Sequence, residues 1–537
     1  PRPERDGRKR GVDGVAAGSG GTGTPGAGKE WAMEKVSASL ATNRRVLQQE
    51  LGESFDIIRE ELRVAGREAM IVGIDGLIDQ PTLQQTVRTL LKAPEPGDGR
   101  LEAEALIREH IPFSEAQAEE RWGQAMMEIL SGGAVLFVDG LEQAVLIDVR
   151  KYPERPPSEP DLEKVLRGPK DGFTETIVRN TALIRRRLRD KNLRIETFFL
   201  GRRSQTQVAL LYIRDITQPG LVEQIRERLN GVRIDALPMA EHSLEEFLEK
   251  REQAWFPFPQ VRYTERPDVV AAQLLEGQVA LLVDTSPVAL LLPATLPQLM
   301  QHPEEFHEPT IPGIAVRFAR YLGLVAAWLL VPLWIVLATH VRALPAWAHW
   351  IGPRKPGVLP LAAQFLIAEA GLEFIRLALI HTPNALSTAL GVIGAVLIGQ
   401  LAVQVGLFTA ETILYATIAA VGTFTVPSPE LGNSVRLMRV LLILLVWAGG
   451  PYGLAVGVIA EFLLVARGRS FGVPYLWPYL PPDWASLRNV ALRLPAPRTR
   501  QRPARLEPVD PDRQPPMAPA RSRLPQIRLR RPLGRRN

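Results

Sequence analysis

Phe318–Thr339 reads FARYLGLVAAWLLVPLWIVLAT. Past Arg320 this run carries no charge, and only Pro332 interrupts it. At about 1.5 Å per residue a helix of this length covers roughly 30 Å, the hydrocarbon thickness of a bilayer. The run therefore reads as a membrane span, and the chain as an integral membrane protein. Arg317 and Arg320 stand at its front edge, as expected if the preceding residues remain on the cytoplasmic side. The first residues are charged and Gly-rich, not an apolar leader.

Four more apolar runs follow. Leu359–Ile380 carries Glu369, Glu373 and Arg376, spaced to share one helical face. Charges at that depth must face protein or water. One reading makes them the polar lining of an ion path. The other makes them an internal ion pair, or places the helix on the interface. In Leu386–Phe408, Gly391, Ala395 and Gly399 form a small-residue face suited to close helix packing, and Gln400 and Gln404 form a polar stripe. Ala410–Val426 begins with Glu411. Val440–Ala466 contains Glu461 and is broken at Gly449-Gly450-Pro451. Such a break at membrane depth needs protein or a water-filled cavity around it. Five full spans would put the C-terminus outside; about four keep both ends inside.

Upstream, residues 33–309 alternate helical and extended patterns. A strand is predicted within Glu68–Ile78, then a helix over Thr82–Leu91. A helix over Glu115–Leu130 precedes Ser131-Gly132-Gly133 and strands Ala134–Val138 and Ala144–Val149. The order recurs in strand Val208–Ile213, helix Pro219–Leu229, a helix from Pro267 to Glu276, and strands Val279–Val283 and Val288–Leu292. Without gaps, Leu130 aligns with Leu275, Gly132 with Gly277, Leu136 with Leu281, Asp139 with Asp284 and Leu146 with Leu291. Gln80-Pro81 likewise matches Gln218-Pro219. The expectation is a duplication: two similar α/β subdomains. Asp139 and Asp284, at the hairpin turns, read as turn formers.

The fold class is thus a multidomain membrane protein: an α/β cytoplasmic region of two similar subdomains, then an all-α transmembrane bundle of about four to five hydrophobic segments. The expected divisions are a disordered tail 1–32, subdomains 33–160 and 161–309, a membrane domain 310–480, and a disordered Arg- and Pro-rich tail 481–537. Met33 is the expected natural start.

The remaining counts exclude chemistry. The 537 residues include no Cys, which removes disulfides, thiolate catalysis and Cys-ligated metal, and only 7 His. Lys and Arg total 64 against 58 Asp and Glu, a formal charge of +6. Gly18, Gly20 and Gly23 imitate a dinucleotide loop, and Gly23–Glu30 a phosphate loop. Glu30 stands where Ser or Thr should hold magnesium, and no strand precedes either pattern. No nucleophile–base pair or metal constellation is present, so neither enzyme, cofactor nor metal is expected. The basic tail is expected on anionic lipid headgroups. No folded module accompanies it for nucleic acid.

Several separated motifs occur in fixed order: Tyr263-Thr264-Glu265-Arg266-Pro267-Asp268, Leu274-Leu275-Glu276-Gly277, Val283-Asp284-Thr285-Ser286-Pro287, Ile351-Gly352-Pro353, Ala368-Glu369-Ala370-Gly371-Leu372, Ile380-His381-Thr382-Pro383, Leu397-Ile398-Gly399-Gln400 and Val473–Pro478. Together they resemble the A subunits of spore germinant receptors, the GerA family, over about Leu51–Leu494. The resemblance implies a multi-pass protein of the spore inner membrane acting in germination, with a two-lobed cytoplasmic domain. It implies oligomers that conduct monovalent cations, accompanied by other germination membrane proteins: a transporter-like B subunit and a lipoprotein C subunit. Departures are the Gly-rich start, the Arg-rich tail, and Asp284-Thr285-Ser286 where the receptors more usually have Asp-Gly-Thr. Two functions follow for testing: a subunit of an oligomeric ion channel, or a non-conducting scaffold that couples other germination proteins.

Overall fold

A computed structural model describes residues 34–514 apart from 96–100, 112–114, 152–162, 164, 166, 249–254, 356, 382–400 and 493–498. The tail 1–32 and residues Gly391, Ala395, Gly399 and Gln400 lie outside the described residues.

The first lobe holds strands β1 (Ile57–Val64), β2 (Arg67–Ile74), β3 (Glu115–Glu119), β4 (Ala134–Val138) and β5 (Ala144–Asp148) in the antiparallel order β1-β2-β4-β5-β3. The second holds β6 (Leu193–Leu200), β7 (Thr206–Ile213), β8 (Arg262–Thr264), β9 (Val279–Val283) and β10 (Ala289–Leu292) in the order β6-β7-β9-β10-β8. Position for position the two orders are the same. β4 and β9 are buried throughout, as centre strands covered on both faces must be. Helices α1 (Leu40–Leu51), α2 (Gln80–Leu90), α3 (Ala103–His110) and α4 (Trp122–Ser131) cover the first sheet; α5 (Ile177–Arg187), α6 (Pro219–Gly231), α7 (Ala240–Leu248) and α8 (Pro267–Leu275) cover the second.

The likeness extends to individual hydrogen bonds. Asp139, after β4, accepts the backbone N–H of Leu40 at 2.9 Å, where α1 begins. Asp284, after β9, accepts that of Ile177 at 3.2 Å, where α5 begins. The turn aspartates thus bond orphan amides at helix starts, where negative charge is favoured. Asn43 clasps both backbone groups of Ser37 (3.0 and 2.7 Å), and Asn180 does the same to Thr174 (2.8 and 2.5 Å). The lobes join at a buried bidentate pair, Arg185 Nε–Asp56 Oδ2 at 2.8 Å and Nη2–Asp56 Oδ1 at 3.0 Å, where each residue is 1% exposed.

Two sequence expectations need correction. The helix over Glu115–Leu130 is a strand, Glu115–Glu119, followed by a helix from Trp122. Glu, Ala and Gln favour helix locally, but pairing along Glu115↔Asp148 to Glu119↔Ala144 overrides propensity. The tail from 481 is not structureless among its described residues. Trp484–Leu492 is helical, and residues 499–514 lie on the second lobe. There Val509 N–H donates to the Ile216 carbonyl (2.9 Å), Arg502 Nε to Leu275 O (2.8 Å), and Arg513 pairs with Glu276 (2.5 Å). In the first lobe Lys151 N–H donates to the Leu77 carbonyl (2.8 Å) in the place matching Ile216. The C-terminal strap thus fills a position that the first lobe fills with the continuation of β5.

Two helical stretches are long and apolar enough to cross a membrane, Thr310–Thr339 and Pro429–Arg467, with a shorter apolar helix at Ala410–Phe424. The expected four to five such segments are not reached among the described residues. Leu361–His381 is one unbroken charged helix. The first span is α-helical to Val325, π-helical over Ala326–Leu330 and α-helical again from Val331, a register shift just ahead of Pro332. Pro429–Arg467 is two helices meeting at Gly450 (φ 55°, ψ −133°). A Cβ on Gly457 would meet Leu442 Cδ2 at 2.6 Å. In a straight helix those residues would stand roughly 22 Å apart, so the arms fold back on each other as a hairpin.

Thr285 has φ 71°, a left-handed conformation that Gly140 (φ 86°) occupies in the first lobe. Thr285 is solvent-exposed, so its side chain gains little in return. Thr285→Gly is therefore expected to raise unfolding stability by about 0.5–1 kcal/mol, read as a higher melting midpoint of the detergent-solubilised chain. A lower midpoint would contradict this.

Candidate functional site

The second lobe grips the apolar helical bundle through one seam. Glu305, its side chain fully buried, pairs with Arg317 at 2.7 Å and also with Arg320. The two arginines expected to mark the cytoplasmic edge are thus held by a carboxylate from the lobe. Phe256, Phe258 and Tyr475 form an aromatic cluster with centroids 5.5–5.9 Å apart. It packs on Leu431, Val435 and Met438 of the hairpin's first arm. Ser434 donates to the Pro257 carbonyl. After the second arm, Tyr475 N–H donates to Gly468 O and Leu296 N–H to Tyr475 O, both at 2.9 Å. Both ends of the hairpin therefore lie against the lobe. Its turn lies at the other end of the bundle: a Cβ on Gly450 would stand 3.9 Å from His340, just past the far end of the first span.

Between these ends runs a ladder of charges. Glu369, Glu373 and Arg376 on Leu361–His381 face Arg439, Arg436 and Asn433 of the hairpin, turn against turn. Arg439 Nη2 donates to Glu369 Oε2 at 2.9 Å, and Nε lies 2.9 Å from Oε1. The residues are 1% and 5% exposed. Arg439 Nη1 also donates to the Ala327 carbonyl. In the π register that carbonyl would look to the N–H five residues on, and Pro332 has none. Glu373 pairs with Arg376 at 2.6 Å and with Arg436; Arg376 Nη1 lies 3.3 Å from Asn433 Oδ1. The shared face was legible in the sequence; its partners were missed because the last apolar run was started at Val440. The signal was Arg436 and Arg439 spaced three apart, one helical face just ahead of that run.

The other intramembrane candidates stand apart. Glu461 is buried, its Oε2 accepting from Trp328 Nε1 at 2.6 Å while Oε1 has no hydrogen-bond partner. Gln404 is exposed at the end of a helical stretch. Glu411 Oε1 accepts the Arg354 N–H at 3.2 Å in a loop. The family-motif residues organise the second lobe. Tyr263 donates to the Glu245 carboxylate, and burial, with Glu245 beside it, pushes its hydroxyl pKa up. The Glu265 carbonyl accepts the Phe173 N–H at 2.9 Å. Arg266, fully buried, pairs with Asp268 (2.8 Å) and donates to Pro169 O (2.9 Å). Pro267 opens α8, where its missing N–H costs nothing.

These motifs and this two-lobed build agree with a scan of family models. Residues 45–505 match the family described as Bacillus/Clostridium GerA spore germination protein. The chain belongs to the GerA family. It is 39% identical to stage V sporulation protein AF of Bacillus subtilis over 465 residues, 87% of this chain and 94% of that protein. It is 31% identical to spore germination protein B1 of Bacillus subtilis, over 89% of this chain and all of that protein. Among solved structures, the N-terminal domain of the A subunit of the Bacillus megaterium spore germinant receptor GerK3 is 27% identical with TM-score 0.37, covering 48% of this chain and 95% of that one.

A cavity of about 1100 Å³ opens beside the seam, between α8, Arg317 and the C-terminal strap. Arg262, Arg317, Arg502 and Arg513 line it, each tied to a carboxylate: Glu163, Glu305, Asp510 and Glu276. Arg488 and Arg500 line it as well.

Two outcomes follow. Glu369→Gln leaves the Arg439 charge buried and unpaired, and should lower stability by about 3–5 kcal/mol; replacing both residues by Met and Leu should restore most of it. The melting midpoint in detergent reads both, and a tolerated single variant would mean that water reaches the pair. At the seam, burial holds His302 down to about 4, with Arg320 and Arg262 adding to it. The folded state therefore binds fewer protons than the unfolded chain between pH 6.5 and 4. Stability from this group is present above pH 6.5 and is lost as pH falls through that window, by roughly 1–3 kcal/mol after allowance for its partial exposure. His302→Asn should flatten that part of the stability–pH curve.

Proposed function

We propose that this GerA-family chain is a multi-pass subunit of the spore inner membrane, with both lobes in the cytoplasm, in an oligomeric assembly that mediates or amplifies cation release during germination. The supporting observation is the seam. One lobe holds the start of the first span and both ends of the hairpin, so a displacement of that lobe acts on at least three membrane helices at once. The strap places residues 499–514 on the same side as the lobes. An even number of crossings then follows, with each hairpin arm counted as one. The relatives' names add spore germination as the process, and no enzymatic step is called for.

Within this reading the charge ladder holds the bundle together. Gln404, exposed on its helix, is the described candidate left to face a path between copies, whereas Glu461 is enclosed against Trp328 within one chain. A second reading, a non-conducting scaffold that couples other germination proteins, draws support from the pairing of Glu369 and Glu373 within a single chain.

Cation flux from vesicles holding the purified chain separates the two. Conduction predicts flux that Gln404→Glu changes at least severalfold in rate or selectivity while the fold persists. Absence of flux from the folded, oligomeric wild type would sink it in favour of the scaffold.

A further inference from the structure

Trp255 is 95% exposed, yet its neighbour Phe256 is built into the aromatic cluster of the seam. It therefore projects from the line where the lobe meets the ends of the membrane helices. A second exposed tryptophan, Trp484 at 77%, begins the helix Trp484–Leu492, in which no residue is buried. That helix is fastened to the start of the first span by Arg317, whose Nη1 donates to the carbonyls of Asn489 (3.3 Å) and Val490. Helical spacing puts Trp484, Leu487 and Ala491 on one face with Arg488 beside them, opposite Ser486 and Asn489. Arg467, which ends the hairpin, Arg469 and Arg488 are exposed, and among the described residues no carboxylate lies within ion-pair distance of them.

Resting on the reading that these helices span a bilayer, we propose that this rim is a lipid-facing surface. Trp255 and Trp484 sit at headgroup level, and Arg467, Arg469 and Arg488 bind anionic phospholipid. Indole rings favour the interface because one edge is polar and the body apolar. Basic residues at the cytoplasmic edge are drawn to anionic lipid by its surface potential. The second lobe is then moored to the membrane surface as well as to the helices, and the lipid's charge acts on the same lobe that grips the bundle. Residues 499–514 lie on the far edge of α8 and the β7–α6 turn, across the cavity whose lining Arg488 shares.

The absence of Cys makes the test direct. The full chain carrying Trp255→Cys, Trp484→Cys or Leu441→Cys is labelled with a polarity-sensitive fluorophore. It is reconstituted into phosphatidylcholine vesicles, with and without phosphatidylglycerol. Leu441, exposed near the middle of the hairpin's first arm, is the control. The expected result is quenching of the 255 and 484 labels by lipids brominated near the headgroup. Phosphatidylglycerol should deepen that quenching at least twofold, and the gain should vanish in the Arg467→Gln, Arg469→Gln, Arg488→Gln triple variant. Labels at 255 and 484 that stay open to aqueous iodide, or shielded from both quenchers by protein, while the 441 label is in lipid, would overturn the proposal and leave the spans standing. If the 441 label is also open to iodide, the spanning reading itself fails, and the proposal with it.

Discussion

The helical bundle depends on the guanidinium of Arg439. It is 1% exposed, and it bonds two separate helices besides its own: Glu369 on the charged helix and the Ala327 carbonyl on the first span. An unpaired charge there would cost about 3–5 kcal/mol, a large share of a domain's margin of stability. One charge-assisted hydrogen bond to Glu369 and one to the Ala327 carbonyl offset that cost, while Arg439 Nε and Glu369 Oε1 lie close without hydrogen-bonding geometry. The arrangement fixes register more than it adds stability. A slip of either helix by one turn would strand both charges. Pro332 enters as well: by removing one backbone donor and shifting the first span into π geometry, it frees a carbonyl that the guanidinium takes up. Three features that look like faults in isolation, a proline, a π turn and a buried arginine, satisfy one another.

Close approach of the helices follows from small residues at the crossing. A Cβ on Gly422 would lie 2.5 Å from the Gly323 carbonyl, and one on Gly323 would collide with Thr425. Ala410–Phe424 therefore packs backbone to backbone on the first span, which lets Thr423 Oγ1 come within 3.5 Å of the Arg439 guanidinium. The ladder continues at Glu373 and Arg436 toward the lobe, where exposure rises and such pairs weaken. Within the ladder the pairing is thus most enclosed at Glu369 and Arg439 and looser at Glu373 and Arg436.

Much of this was legible. An ungapped offset of 145 carried the second half of each lobe, because α4, β4 and β5 keep the spacing of α8, β9 and β10. In the first halves β2 with α2 and β7 with α6 were read, while α1, β1, α5 and β6 escaped notice, β1 for a physical reason. β1 (IIREELRV) is an edge strand, and edge strands carry charges that deter pairing with other chains, so they lack the alternation of a half-buried strand. β3 was read as helix from Glu, Ala and Gln, whose preference is local while the pairing is not. The acidic face of the charged helix was visible from spacing alone. Whether it meets water or arginine depends on a helix some 70 residues later, which no local pattern reports. The strap was hidden by composition: Pro- and Arg-rich sequence reads as unfolded, yet a few backbone bonds and one ion pair to a preformed edge suffice to seat it.

The duplication explains why the strap exists. In the first lobe the chain leaving β5 turns back and bonds the carbonyl of Leu77, closing the edge beside α2. In the second lobe the chain leaving β10 cannot do so, because it must run through Thr295 and Glu305 into the first span. The matching carbonyl, Ile216, would be left open at a lobe edge. The C-terminal segment returns from the helical bundle to cover it, with Val509 in the role of Lys151. Two copies of one fold thus diverge where one of them has to feed that bundle. The repair ties residues 499–514 to the lobe that also holds the first span, so lobe and bundle close on each other as a single circuit of contacts. Loosening the circuit at the strap or at Glu305 therefore weakens the same lobe–bundle grip.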